Sequence, residues 1–418
     1  MKKAFLSILV CLVVLSGLGA MSIRHVDETH PFDSAPMLER YYDSSDDGNM
    51  AYWDQYEISL LTISQGGPIY SWFGHSAFLI RTPDGRDIAF DYGTFSFNDE
   101  DFIKNFVMGR LWFLCLSTRA NGRYAELEED GRSVSLVTLP LTAEQKKAIV
   151  NFVDANTLKE NREYLYHHYK DNCATRLRDI IDRATDGDFG RWAREQKGMT
   201  FRQQASRALS RNRLVQWGLE FLQSGMIDKE ATLWDEMFLP DVLEKAVMEY
   251  FGLESELVVD NHGQYRAVPE KAQSNIGFSI LLGLVLGGLS VGLSFVGKGT
   301  ARWIYCGVVD IILGILGSVL LFMMVFTNHD VTWFNENIIF ANPLLLLLGV
   351  LSFIPKENHR QLCILCNRSL MFTVLALSAF KIVFSGFLIQ QNWSAIITVG
   401  LFYLSNCFDY RKKASGKE

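Results

Sequence analysis

The residues best suited to chemistry lie in YLYHHYKDNCATRLRDIIDRA, residues 164–184, where Asp171 and Asn172 lead Cys173 into a helical pattern. Both Asx residues are good helix N-caps, which puts Cys173 in the first turn. There the unpaired amides and the positive end of the helix dipole stabilise a thiolate, the form of sulfur that attacks a carbonyl carbon. Cys173, Leu177, Ile180, Ile181 and Ala184 recur at the spacing of one helical face, so the sulfur lies on the stripe that meets the core. A nucleophile needs a base, and His75 in WFGHSAFLI stands 98 residues upstream. The competing reading makes Cys173 a small core residue, the usual fate of a cysteine on an apolar stripe. The Asx-Cys helix start combined with a Gly-His strand favours chemistry.

Those two side chains need a scaffold. YEISLLTIS (56–64) reads as a first strand ended by Gln-Gly-Gly-Pro, and SWFGHSAFLIRT as a second. The Pro-Asp-Gly turn at 83–85 then leads directly into a third strand, DIAFDYG. The resulting hairpin brings Asp91 near His75, where a carboxylate would fix the tautomer of the imidazole and orient it. A helix is predicted around Asp99 to Met108, followed by strands LWFLCLST and RSVSLVTLPL. Thr142 and Gln145 make a capping-box pattern at the head of a helix with Ala148, Ile149, Phe152 and Val153 on one face. Several helices follow Cys173, including WGLEFLQSG and, after Pro240, DVLEKAV. Strands first and helices afterwards point to an α+β domain rather than a parallel sheet.

The 418-residue chain changes character along its length. Residues 1–20 have Lys2 and Lys3, an apolar run and then small residues, the layout of a secretory signal, with an uncleaved signal anchor as the alternative. Residues 21–50 read as a polar leader and 51–274 as an exported catalytic domain with a helical extension. Residues 275–410 carry about five apolar segments of near-spanning length, and 411–418 form a cytoplasmic tail. Lys298, Arg302, Lys356, Arg360, Arg368 and the tail cations fall on one side if there are five spans, which makes that side cytoplasmic. The exported domain and the loop TNHDVTWFNEN then face outward. A net charge of −7 offers no basic face for nucleic acid.

Of seven cysteines, only Cys115 and Cys173 belong to the exported domain. They could pair with each other, but Cys115 in its strand reads as a core residue. Cys363 and Cys366 form a CxxC without the two further ligands zinc needs, so no metal is expected. No cofactor is expected either.

GHSAFLI with FDYG, then DNCATRLRD, then GLEFLQSGMIDKEATLWDEMFLP resembles the Lnb-type periplasmic domain of Bacteroides-type bacteria. NHDVTWFNENIIFANPL is similar to the outward loop and following helix of the same proteins. The resemblance implies a permuted papain-like fold, related to the NlpC/P60 and lecithin:retinol acyltransferase groups, followed by an all-α transmembrane bundle. It implies N-acylation of bacterial lipoproteins, with a membrane phospholipid as acyl donor and a diacylated lipoprotein as acceptor. The position of Asp91 more often carries Asn in that family.

On this reading Cys173 is the nucleophile, His75 the base and Asp91 its partner, with a thioester intermediate. Asn172 is either a side-chain donor to the oxyanion or only a cap. Arg176 and Arg178 either meet phosphate or form a solvated helix face. His329, Asn335 and Asn337 either hold head groups or the lipoprotein amine, or belong to an interfacial loop anchored by Trp333. His167 and His168 read as surface or structural residues. Two other classes stay open: a membrane-tethered Cys/His peptidase, amidase or lipid hydrolase, and a non-enzymatic subunit that binds lipoproteins. Five apolar segments weigh against a wall hydrolase, which needs one anchor.

Overall fold

The computed structural model describes residues 48–95, 102–261, 264–265, 267–296, 299–387 and 389–410. The signal and most of the leader, Lys298 and the tail cations lie outside the described residues. The chain forms two compact units. Of the described residues, the first holds those up to Ala208 together with those in Glu230–Lys271; the second holds Leu209–Lys229 and those from Ala272 onward.

The first unit is built on an antiparallel sheet of β1 (Glu57–Ile63), β2 (His75–Arg81), β3 (Asp87–Thr94), β4 (Trp112–Arg119), β5 (Val134–Thr138), β6 (Glu163–Leu165) and β7 (Glu256–Val259), in the order β6-β4-β3-β2-β1-β5-β7. Strands β1, β2 and β3 are buried along almost their whole length, which explains their continuous Ile, Leu, Phe and Ala runs. The predicted turn closes the β2–β3 hairpin: Thr82 and Arg86 exchange backbone and hydroxyl hydrogen bonds across it, and Gly85 takes the positive φ of 81° that the turn requires. Thr142 and Gln145 form the expected capping box on Ala143–Thr157. Two short edge strands, β6 and β7, carry no sequence signal of their own.

Among the described residues of the second unit, three helices are long and apolar enough to cross a membrane: Ile276–Ser294, Thr300–Phe326 and Glu357–Val383. The other two expected segments are shorter helices, Leu344–Ser352 and Trp393–Asn406. Small residues let these helices approach: a Cβ on Gly283 or Gly287 would fall within 3.0 Å of Leu401 on the Trp393–Asn406 helix. The second unit also takes the helix Arg213–Leu222, which sequence reasoning assigned to the catalytic domain. Trp217 of that helix is buried, and its indole donates to Thr398 Oγ1 at 3.0 Å. An amphipathic stripe reports that a face will be covered, not by which unit.

Candidate active site

Cys173 is the first residue of the helix Cys173–Ala184, and Asn172 is its N-cap. The amides of Cys173 and Ala174, at the first two helical positions, have no intrahelical acceptor. The Thr175 amide is already taken by Asn172 Oδ1 at 2.9 Å. Both side-chain N–H groups of Asn172 are also committed, to His168 O at 2.7 Å and Phe238 O at 2.8 Å. Of the two roles open to Asn172, the hydrogen bonding fits the cap and leaves no donor for an oxyanion.

His75 opens β2 immediately after Gly74, whose φ of 76° turns the chain into the strand. Opposite, Asp91 pairs with Ala77, one diagonal step from His75. Both side chains are buried, and Nε2 of His75 hydrogen-bonds the Asp91 carboxylate. A carboxylate only accepts, so Nε2 carries the proton and Nδ1 is the nitrogen left for Cys173. Burial alone would push the imidazole down; Asp91 and then the Cys173 thiol outweigh it and raise His75 to about 9. At this value the ring holds its second proton at neutral pH.

Between Tyr92 and Thr94 the pairing of β3 with β4 shifts register, and Gly93 sits there with φ 102°. A Cβ placed on Gly93 would lie 3.9 Å from each of three atoms: Cys173 Cβ, His75 Cε1 and the Tyr164 hydroxyl. The glycine thus opens a small space onto which nucleophile, base and a phenol converge. Tyr164, on β6, was not among the residues singled out for chemistry; a tyrosine in a run of aromatics carries no such signal.

The remaining sequence candidates fall elsewhere. Arg176 does not present a free face: its guanidinium makes a two-pronged pair with Asp171 and stands 4.4 Å over the Tyr164 ring. Nor is Arg178 a solvated residue; it is buried, donates to Trp234 O at 2.9 Å and stacks on the Trp234 ring. His168 is buried among Phe73, Tyr169 and Phe238, and burial lowers it to about 3, so it stays neutral. His167 accepts the amides of Tyr169 and Lys170 in the turn before the helix. Cys115 is buried in β4 as expected, its thiol pushed up to about 12 by burial, and both it and Cys173 are free rather than disulfide-bonded.

His329, Asn335 and Asn337 belong to the second unit. Asn335 and Asn337 are buried, and their side-chain amides donate to the carbonyls of Phe221 and Leu222 that end the helix Arg213–Leu222. That use matches a structural role rather than one of holding head groups. Trp333 and Phe334 beside them are exposed. His329 caps a short turn through its carbonyl, which accepts the Thr332 hydroxyl at 2.8 Å. Among the described residues no group of His, Cys, Asp and Glu is placed to hold a metal.

Two family models match the chain: the Lnb N-terminal periplasmic domain over residues 50–207 and the Lnb transmembrane domain over residues 276–414. No protein of curated function and no solved structure matches it. The two matches occur in the same order as the antiparallel-sheet unit and the apolar helices. The chain is therefore a membrane protein with a periplasmic domain, and it belongs to the Lnb family.

Proposed function

We propose that this protein is a cysteine-dependent lipoprotein N-acyltransferase of the bacterial inner membrane, with its catalytic domain in the periplasm. The observation that carries the reading is the buried Asp91–His75 pair beside Cys173 at a helix N-terminus, in a chain that continues into membrane-spanning helices. A His strand ahead of a Cys helix on an antiparallel sheet is what a permuted papain-like domain requires, and it supports that reading. Both proposed substrates keep their acyl chains in a bilayer and react near its surface, which suits a catalytic domain fused to a membrane bundle.

The first half-reaction begins with the Cys173 thiolate adding to an ester carbonyl of a phospholipid. The C–S bond forms, the ester C–O bond breaks, and the lysophospholipid alkoxide leaves with the proton from His75 Nδ1. In the second half the free α-amine of a diacylglyceryl-cysteine adds to the thioester. Its proton passes to His75, the amide forms and the thiolate departs. Amides at the start of the Cys173 helix face the oxyanion in both halves.

The test is mass spectrometry of a synthetic diacylglyceryl-cysteine lipopeptide incubated with the full-length protein and phospholipid. The expected product is one acyl chain heavier on its amine, and it disappears in Cys173→Ala and His75→Ala. Release of free fatty acid or cleaved wall peptide, with the lipopeptide unchanged, would replace the transferase by a hydrolase.

A further inference from the structure

Tyr164 is buried, and its hydroxyl has no hydrogen-bond partner. Leaving a buried phenol unpaired costs free energy, and a protein that only needed the ring could carry phenylalanine here. The orphan hydroxyl is aimed at the same small space as Cys173 and His75, since all three lie 3.9 Å from the point where a Gly93 Cβ would stand. Its ring is held from two sides. Tyr92 meets it edge-on with centroids 6.2 Å apart, and the Arg176 guanidinium covers it at 4.4 Å. Arg176 is in turn fixed by Asp171, its partner five residues earlier, just ahead of the helix cap.

We infer that the Tyr164 hydroxyl is a side-chain donor to the oxyanion formed on Cys173, and that Arg176, fixed by Asp171, is a positioning residue acting through the Tyr164 ring. The inference rests on the acyl-transfer reading and adds a group to that site. Burial holds the phenol well above its ordinary pKa, so it keeps the proton it must donate. A cation over the ring draws density from the oxygen, which makes the O–H a better donor without ionising it. Asn172, whose amide is fully committed, leaves this donor position to Tyr164. Together with the helix amides, Tyr164 would give the oxyanion a side-chain donor as well as backbone ones.

The experiment compares full-length wild type, Tyr164→Phe, Arg176→Lys, Arg176→Ala and the Tyr164→Phe/Arg176→Ala double variant in two assays. One follows acylation of Cys173 by phospholipid and by a p-nitrophenyl ester; the other follows alkylation of Cys173 by iodoacetamide, a displacement that forms no oxyanion. Tyr164→Phe should slow acylation about 10²-fold, the usual effect of one oxyanion donor. Its alkylation rate should stay within about twofold of wild type and its thermal midpoint should hold or rise, because the unpaired hydroxyl is gone. Arg176→Ala should slow acylation less, Arg176→Lys should recover part of that loss, and neither should add to Tyr164→Phe in the double variant. Equal falls in acylation and alkylation, or no fall in either, would overturn the inference. Acylation by the p-nitrophenyl ester but not by phospholipid would sink the lipid-donor reading while leaving the Tyr164 result to stand or fall by itself. A wild type acylated by neither ester would overturn both.

Discussion

Among the described residues, His75–Asp91 in the first unit and Lys381–Glu336 in the second are both buried pairs, and the two are finished differently. In the second unit Lys381 and Glu336 are in direct contact; Lys381 also donates to Gln390 O at 2.7 Å, and Gln390 Nε2 donates to Gln223 O and Asn335 Oδ1. Glu336 accepts the Gln390 amide with its other oxygen, so the network closes on itself and ties three separate chain segments together. In the first unit, His75 uses Nε2 on Asp91, and its Nδ1 is left over in a site that also holds Cys173. A buried polar network with every group satisfied holds architecture in place. One with a ring nitrogen and a phenol left over, around a thiol, has capacity for a reacting molecule.

The comparison is broken most severely at Asp91. Asp91→Ala should lower the acylation rate by about 10²- to 10⁴-fold, since it removes what orients the base. Asp91→Asn keeps an acceptor but loses the charge, so its rate, measured in the same assay, should fall between Asp91→Ala and wild type. An Asn variant as slow as the Ala variant would show that charge rather than orientation matters. At the other pair, Lys381→Met should cost about 3–5 kcal/mol of stability by leaving Glu336 buried and uncompensated. Adding Glu336→Leu should restore much of it, read by thermal unfolding in detergent. Activity per folded molecule should change little in either.

The smallest effect is the pH dependence of the first pair. His75 sits near 9 in the fold against an ordinary 6.5, raised by Asp91 and the Cys173 thiol. Its pair therefore contributes stability in full below about pH 6.5 and loses it as pH rises through about 9. Melting curves between pH 6 and 9.5 should show a decline for wild type that flattens in Asp91→Asn. A decline of equal size in both proteins would assign it to other groups.

Much of this site is legible in the sequence because its parts are local signals. The Pro-Asp-Gly turn fixes a hairpin, the hairpin sets a register, and the register puts Asp91 diagonal to His75. The Asx residues before Cys173 place the sulfur in the first helical turn. What escaped reading depends on partners distant in the chain. Tyr164 looks like any aromatic in a strand, and only the fold shows that its hydroxyl is unpaired and its ring capped by Arg176. Asn335 and Asn337 look like polar groups offered to a ligand, whereas they are spent on the end of a helix more than a hundred residues earlier. The three-residue strand β6 is too short for its alternation to be distinguished from chance.

The division of the chain has a practical side. The polypeptide passes from one unit to the other after Ala208, after Lys229 and again after Lys271. Truncating the gene just before the helix Ile276–Ser294 would therefore not release a self-sufficient water-soluble periplasmic domain. Residues 209–229 would remain as an insert whose Trp217, Phe221 and Leu222 had lost their cover, an apolar surface that invites aggregation. Any attempt to express the first unit alone has to remove or resurface that insert as well as the membrane helices.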